Sequence, residues 1–496
     1  MDTTHFNTLT DNILNDQSTY KQLKKDPTNS LQKEHKTILN QLRDSNEIGP
    51  TLHKKLITSH PKPPYARATI KIHKDPVKAR LLVCPRDTVH YNTAQHLARL
   101  LAPLGKTAKS FVKDSSEFCK KILDIPQPGT LISYDVVDLF TNVPRDEAME
   151  IITTRVEEIL PSLDTRLTTD SIIRLIHSCI SSTYFTWKDT FYQQTHGLPM
   201  GSPLSPLFTE IFMTHLEEKA LETSPITPLC WFRKVDDTFA ILHPNNDPRT
   251  ILDHLNSQNP RMQFTMAEET NRQLPFLDVL VQKDKNDKLQ TTVYRKPTHT
   301  DQYLHYASNH PPQVKKGIVS TLARRAHNIC STKQHLTTQL SHLKQVFTQH
   351  NCYPEQLVQQ TIKNITKKSQ KSPRPQSAPF VISLPYFGIV SHKIQRLLKK
   401  QANIDVVFKR SHTIQNTIKA TGKPPSSHKP EPSGEVYHIP CNCGQAYIGE
   451  TSRPLKTRIK EHQSSVTTDD SKSALSDHIR DNPSHSIQCD DEVGIT

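Results

Sequence analysis

Apolar positions at helical spacing open the chain. Leu31, Ile38, Leu39 and Leu42 fall on one face among Lys, Glu and Gln, which predicts an accessory helical region over residues 1–60. From about Tyr65 the pattern changes. Strand-length apolar runs alternate with longer stretches of helical period as far as Ser331, which predicts an α+β body over residues 61–335. Between Thr361 and Pro379 the apolar period disappears into Lys, Ser, Gln and Pro, and a second polar stretch runs from Thr421 to Ser433. Residues 336–433 therefore read as a helical connection followed by linker. From Gly434 two short apolar strands joined by a turn precede a helical run with Leu455 and Ile459. This segment, 434–496, reads as a small α/β module.

Composition adds a constraint on partners. The 496 residues exceed one ordinary domain, and 34% hydrophobic residues suffice for packed cores. Lys and Arg number 63 against 49 Asp and Glu, a net charge of +14, which attracts polyanions such as nucleic acid. No run of 18 apolar residues exists and Met1–Thr10 lacks an apolar segment, so neither a membrane span nor a signal peptide is expected. An intracellular protein, acting in the nucleus, is the expectation. Nine scattered cysteines argue against a disulfide framework, and only Cys441 and Cys443 stand close enough to suggest a metal pair.

The acids within apolar runs carry the chemistry. Thr130–Phe140 is a strand that ends on Asp135, and the run Leu229–Leu242 is interrupted by Asp236-Asp237, as at the turn of a hairpin. A lone Asp-Asp pair is ordinarily a polar turn. Three carboxylates brought together repel one another unless they share divalent cations, and two Mg²⁺ about 4 Å apart would activate a hydroxyl and stabilise a leaving pyrophosphate. Between these segments lies Gln194–Pro206, with Gly197 and Gly201 in a loop that starts a helix carrying Leu207, Phe208, Ile211, Phe212 and Leu216. Glycines there let backbone approach a flat ligand closely.

In this order the three segments resemble the palm motifs of reverse transcriptases, most closely those of Penelope-like retroelements. Lys71-Ile72-His73-Lys74, Arg80-Leu81-Leu82-Val83, Leu274-Pro275-Phe276-Leu277-Asp278 and Val293–Thr300 extend the resemblance over roughly residues 20–335. It implies a right-hand polymerase with fingers, palm and thumb, using Mg²⁺ or Mn²⁺, an RNA template, a DNA primer and deoxynucleoside triphosphates. Asp135, Asp236 and Asp237 would be the metal-binding triad, and Phe140 the aromatic gate against a ribose 2′-hydroxyl. Gly197 and Gly201 would lie under the base pair, while Lys71, Lys74 and Arg80 would contact triphosphate. One place departs: where the family carries an aromatic residue two positions before the aspartate pair, this chain has Lys234.

The C-terminal segment resembles a GIY-YIG endonuclease, also a companion of Penelope-like polymerases. The likeness implies that Tyr437 and Tyr447 position the attacking water and that Arg458, with His462 near, stabilises charge on the scissile phosphate. Cys441, Cys443, His478 and His485 occupy the places of a Cys-Cys-His-His set that would hold a structural Zn²⁺. Glu435 stands where the family has its first glycine, and no equivalent of the family's metal-binding Glu is visible before Thr496; Asp490, Asp491 and Glu492 stand too close to His485 to replace it. The expectation is therefore an incomplete nuclease that binds without efficient cleavage. A polymerase with a tethered nicking module is the leading expectation, and a decayed nucleic-acid-binding relic the competing one.

Overall fold

The first sixty residues turn out not to be a separate helical appendage. In the computed structural model, which describes residues 2–71, 76–125, 129–366, 380–409, 433–467 and 473–487, α1 (Thr3–Leu14) leads into a strand, β1 (Tyr20–Leu23). β1 joins a five-stranded sheet. α2 (Thr28–Asp44) and α3 (Pro50–Leu56) follow, and β2 (Tyr65–Lys71) and β3 (Lys78–Cys84) continue the sheet. The face of α2 predicted from the sequence is the buried one, with Ile38, Leu39 and Leu42 in the main core. Polar periodicity had hidden β1, whose four residues are too few to show alternation.

The central layer follows. α4 (Tyr91–Leu100) and α5 (Ser115–Leu123) precede β4 (Thr130–Val136), and after it come α6 (Leu139–Asn142), α7 (Arg145–Ile159) and α8 (Thr169–Ser181). β5 (Tyr184–Trp187) and β6 (Thr190–Gln194) return to complete the five-stranded sheet in the order β1-β6-β5-β2-β3. α9 (Ser205–Thr223), β7 (Cys230–Lys234), β8 (Asp237–Leu242), α10 (Pro248–Gln258) and β9 (Phe264–Glu268) then build a four-stranded sheet ordered β7-β8-β4-β9. Period-two alternation sorts its side chains. Ile132, Tyr134, Val136, Ala240 and Leu242 face the helices α7 to α10, whereas Leu131, Phe239 and Ile241 face α5 and a further three-stranded sheet.

That sheet is β10 (Gln273–Phe276), β11 (Val279–Lys283) and β12 (Leu289–Val293). A helical bundle of α11 (Pro312–Ile329), α12 (Lys333–Gln345) and α13 (Glu355–Thr366) closes around Val319, Ala323, Leu343, Phe347, Tyr353 and Val358. The bundle starts before residue 336, where sequence reading began the helical connection. α13 also runs to Thr366, through the first residues of the expected linker; 367–379 lie outside the described residues. Beyond them, β13 (Phe380–Pro385), α14 (Ile389–Ala402) and β14 (Ile404–Lys409) form a parallel βαβ unit that sequence reading missed.

The chain divides into two units, Met1–Thr413 and Ile414–Thr496. In the second, β15 (Ser433–Pro440) and β16 (Ala446–Pro454) make an antiparallel hairpin, followed by α15 (Leu455–Thr467) and α16 (Ala474–Asp481). Its core is Tyr437, Ile439 and Leu475, with Tyr447, Leu455 and Ile459 packed against them. No described helix is long and apolar enough to cross a membrane.

One buried ionic network fixes β7 to α9. Arg233 is 1% exposed. Its guanidinium donates to Glu210 at 2.9 and 3.1 Å, to Glu217 at 3.0 Å and to the Thr214 hydroxyl at 3.1 Å. Glu217 also accepts from the Ser110 hydroxyl at 2.6 Å and from the Trp231 indole. Burial works against the guanidinium's charge, and the two glutamates more than offset it, so Arg233 holds its proton above the usual Arg range. Arg233→Met is expected to lower unfolding free energy by about 3–5 kcal/mol, because it leaves two glutamates buried without a cation. Urea denaturation measures this, and a loss below about 1 kcal/mol would show that the network is not what holds the hairpin.

Candidate active site

The three carboxylates meet because of register. Asp135 on β4 pairs directly with Asp237 on β8, and Lys234 pairs with Asp237 across the β7–β8 hairpin. Only Val235 and Asp236 form the turn. By alternation Asp135 and Asp237 share the face that carries Leu131, Phe239 and Ile241 further down, so they stand where the apolar cover ends. Asp236 is tied in by its carbonyl, which accepts from the Val136 N–H at 3.3 Å.

The turn is strained. Val235 has φ +60°, a conformation hairpins give to Gly at this position and one that β-branched residues avoid. Such strain persists only where surroundings over-determine it. Here the Arg233 guanidinium donates to the Val235 carbonyl at 3.4 Å while its backbone pairs with the segment before α5, Arg233 N–H to Ser110 at 2.8 Å and Val112 N–H to Arg233 at 3.0 Å. A second tight turn carries the chain out of β4, with Asp138 left-handed at φ 44°, ψ 47°.

Electrostatics shows the cost of the arrangement. Burial, then the neighbouring charges of Asp236 and Asp135, push the Asp237 carboxyl up to about 6, and Lys296 partly opposes them. Three crowded carboxylates with one proton held so firmly suit a divalent cation. Lys234 does not relieve them. Its amine donates to the Lys113 carbonyl at 2.5 Å and lies 5.7 Å from the Phe111 ring centroid. Lys296, absent from the expected site, is the cation that acts on Asp237; its place in the Val293–Thr300 motif was the available signal.

Phe140 lies on α6, half-buried and packed against the main core. Its carbonyl accepts from the Leu198 N–H at 2.6 Å, and the Met200 carbonyl accepts from Val83 at 2.8 Å. The loop Gly197–Gly201 is thus stitched to α6 on one side and β3 on the other. Its glycines serve the protein's own backbone: Gly197 has φ +65°, and a Cβ there would stand 2.2 Å from the Thr141 carbonyl oxygen; Gly201 has φ +125°, with the Val83 oxygen 2.0 Å away. Close approach to a ligand was expected; close approach to Thr141 and Val83 is what the structure gives. Arg145, missed in the sequence, braces the loop by donating to the carbonyls of Gly197 at 2.5 Å and Gln194 at 2.9 Å.

Lys71 and Arg80 stand on one face of the β2–β3 ladder, because Lys71 pairs with Lys78 and Thr69 with Arg80. Arg67 and Lys78 join them there, while Ala66, Leu81 and Val83 point to the core. Lys74 lies outside the described residues.

In the second unit, Tyr437, His462 and Arg458 converge. The Tyr437 hydroxyl is 2.6 Å from His462 Nε2 and accepts from Arg458 Nε at 3.2 Å. The Tyr447 ring lies 5.1 Å from that of His462. Gly449, not singled out by sequence, makes room, since a Cβ there would sit 2.6 Å from the Tyr437 hydroxyl. Arg458 also pairs with Glu461 at 2.8 Å. Cys441, Cys443, His478 and His485 form a second cluster whose ligand atoms lie within 4.8 Å of one another. The Cys441 thiol is held below its usual range, chiefly by the Cys443 backbone N–H. Two thiols and two imidazoles at this spacing form a donor set able to hold a metal ion. Asp490, Asp491 and Glu492 lie outside the described residues.

A pH dependence follows from Asp237. Its folded carboxyl binds a proton more tightly than in the unfolded chain, so without metal it lowers stability as pH rises from the ordinary carboxylate range through about 6. A divalent cation must displace that proton. Apparent Mn²⁺ affinity is expected to fall about tenfold between pH 7 and pH 5, measured by calorimetry on a variant with Cys443→Ser so that only this site reports. Affinity independent of pH over that range would place the proton elsewhere.

Comparison with known proteins bears on both parts of the first unit. Residues 302–363 match a family described as an animal helix-turn-helix domain. No curated protein matches the chain. Among solved structures, telomerase from Candida albicans with a fragment of telomeric RNA is 13% identical, over 80% of this chain and 68% of that one, at a TM-score of 0.40. Apo telomerase from Candida Tropicalis is 14% identical over 68% and 64%, at 0.39, so the chain spans just under two thirds of that relative. The Sicinivirus 3Dpol RNA-dependent RNA polymerase is 14% identical over 64% and 71%, at 0.40. Likeness of this extent is too slight to assign a fold. Residues 72–269, which hold all three aspartates, match the family described as reverse transcriptase (RNA-dependent DNA polymerase). The chain therefore contains a reverse transcriptase domain over these residues, and the match supports an RNA-directed DNA polymerase activity.

Proposed function

We propose that this chain is the polymerase of a Penelope-like retroelement, extending a DNA primer on an RNA template. The observation that carries the reading is the register pairing of Asp135 with Asp237 beside Asp236, within motifs that resemble that group. On this reading the four-stranded sheet is the palm, the five-stranded sheet the fingers and the bundle α11–α13 the thumb. Asp135, Asp236 and Asp237 would hold Mg²⁺ or Mn²⁺, which supplies charge stabilisation to the attacking and leaving oxygens when bound. The chain's own residues do the rest. Lys71 and Arg80, with Arg67 and Lys78 beside them, offer a cationic face to the triphosphate. Phe140, held by its carbonyl to Leu198, presents its ring against a 2′-hydroxyl.

The competing reading, a relic that binds nucleic acid without chemistry, drew on Lys234 beside the carboxylates. The Lys234 amine donates to the Lys113 carbonyl rather than standing as a partner to the carboxylates, which favours the enzyme. Primer extension on an RNA template decides. Asp236→Asn is expected to reduce extension by about a thousandfold or more while template affinity changes less than about twofold; extension near the wild-type rate would remove Asp236 from the site. Phe140→Val is expected to admit ribonucleotides, and unchanged discrimination would sink the gate.

For the second unit we propose a GIY-YIG-like module stabilised by Zn²⁺ on Cys441, Cys443, His478 and His485. Elemental analysis should find about one zinc per chain, lost with Cys443→Ser; zinc retained by that variant would exclude Cys443 as a ligand. Tyr437 and His462 are suited to orient a water and Arg458 to meet a phosphate. The carboxylate described at this cluster, Glu461, is held by Arg458 and is thus engaged rather than offered to metal. The unit is expected to bind plasmid DNA and leave it supercoiled in Mg²⁺. Robust nicking that disappears with Arg458→Ala would overturn that expectation and make the module a working nuclease.

A further inference from the structure

The helical bundle carries a feature that neither the aspartate site nor the module uses. Between α11 and α13 runs a groove of about 980 Å³. Its walls are two ordered stripes. On α11, Lys316, Ser320, Arg324 and Asn328 recur every fourth residue; on α13, Gln356, Gln360 and Asn364 do the same. Among the described residues, every charged side chain lining the groove is basic and no carboxylate faces it. Lys316, Arg324, Asn328, Gln356, Gln360 and Asn364 are all exposed, and none of their side chains makes a hydrogen bond or ion pair with another described residue. Long side chains aligned on one line, without partners among the described residues, are available to a ligand.

We infer that this groove binds a single strand of adenine-rich RNA, with Lys316 and Arg324 on phosphates and the amides of Gln356, Gln360 and Asn364 on base edges. A carboxamide offers a donor and an acceptor side by side, the complement of the adenine N6 donor and N7 acceptor. Residues four apart on a helix are separated by a rise of roughly 6 Å, well beyond the step of about 3.4 Å between stacked bases of a duplex strand. One amide therefore meets one nucleotide only where the strand is unstacked, the state in which base edges are free to be read. A concave site between two helices also fits a single strand better than a duplex, whose major groove takes a protruding element. The choice of RNA rests on the RNA-directed polymerase in the same chain.

The test is fluorescence anisotropy with labelled 12-nucleotide strands, the polymerase cleft being filled by excess unlabelled RNA–DNA hybrid. Adenine RNA is expected to bind about fivefold or more tighter than uridine or cytidine RNA, and tighter than adenine DNA or an adenine–uridine RNA duplex. Gln356→Ala/Gln360→Ala/Asn364→Ala should erase the base preference, and Lys316→Ala/Arg324→Ala should weaken all strands about tenfold. Because these side chains have no partners among the described residues, both variants should unfold at the wild-type temperature. Equal binding of the three RNAs, complete competition by the hybrid, preference for DNA or duplex, or indifference to either variant overturns the proposal. Primer extension on the same preparations separates the readings: extension without adenine-RNA binding sinks the groove alone, while loss of extension in the unmodified chain sinks the polymerase.

Discussion

The aspartate site depends on a charge that never touches it. Arg233 is buried between Glu210 and Glu217 of α9, and its neighbour Lys234 lies on the opposite face of the same strand. Two basic residues in sequence thus have opposite fates, decided by a period of two. A slip of one residue in β7 would put Lys234 into the helix layer and Arg233 beside Asp237. The register that pairs Asp135 with Asp237 is accordingly protected by an ion network whose disruption leaves charge in a low-dielectric core. Hydrophobic strand contacts are indifferent to such detail; a guanidinium with four side-chain and carbonyl acceptors is not.

That rigidity is what lets the turn hold an unfavourable shape. Val235 at positive φ and three adjacent carboxylates each oppose folding. Both penalties fall at the two-residue turn Val235-Asp236 and the strand ends beside it, Asp135 of β4 and Asp237 of β8, and the turn is anchored through Arg233. A cation at the carboxylates would remove the electrostatic penalty and leave the conformational one, so the hairpin is shaped before metal arrives. This is preorganisation in the physical sense: the ligand oxygens do not have to be gathered when the substrate binds.

The hairpin and its aspartates were legible because acids that interrupt an apolar run are costly to bury unless a cation shares their charge. The clamp behind them was not, since Arg233-Lys234 reads as an ordinary solvated pair. A signal existed in the helix. Glu210 and Glu217 stand two turns apart in α9, on one side of a segment buried nearly all round, and an acid in such a helix implies a buried cation. The first residues of the linker expected from Thr361, as far as Thr366, are helical instead, for a related reason. Gln356, Gln360 and Asn364 make α13 look aperiodic, yet Leu357, Val358, Ile362 and Ile365 pack its other face into the bundle. The unit β13-α14-β14 escaped because its strands leave Phe380, Val381 and Val407 exposed, which blurs alternation.

The glycine loop shows how the two large sheets are held to a common frame. Met200 is bonded to Val83 of the five-stranded sheet, while Leu198 is bonded to Phe140, which follows directly on the four-stranded sheet's β4. Turning one sheet against the other would have to break both bonds, or drive the Gly197 and Gly201 backbone into Thr141 and Val83, where no Cβ fits. Arg145 adds a third attachment through Gly197 and Gln194. The distance from the cationic face of Lys71 and Arg80 to the aspartates is therefore set by a loop of five residues. Its glycines fix that distance because they alone tolerate the approach, a rigid role for the residue usually credited with freedom.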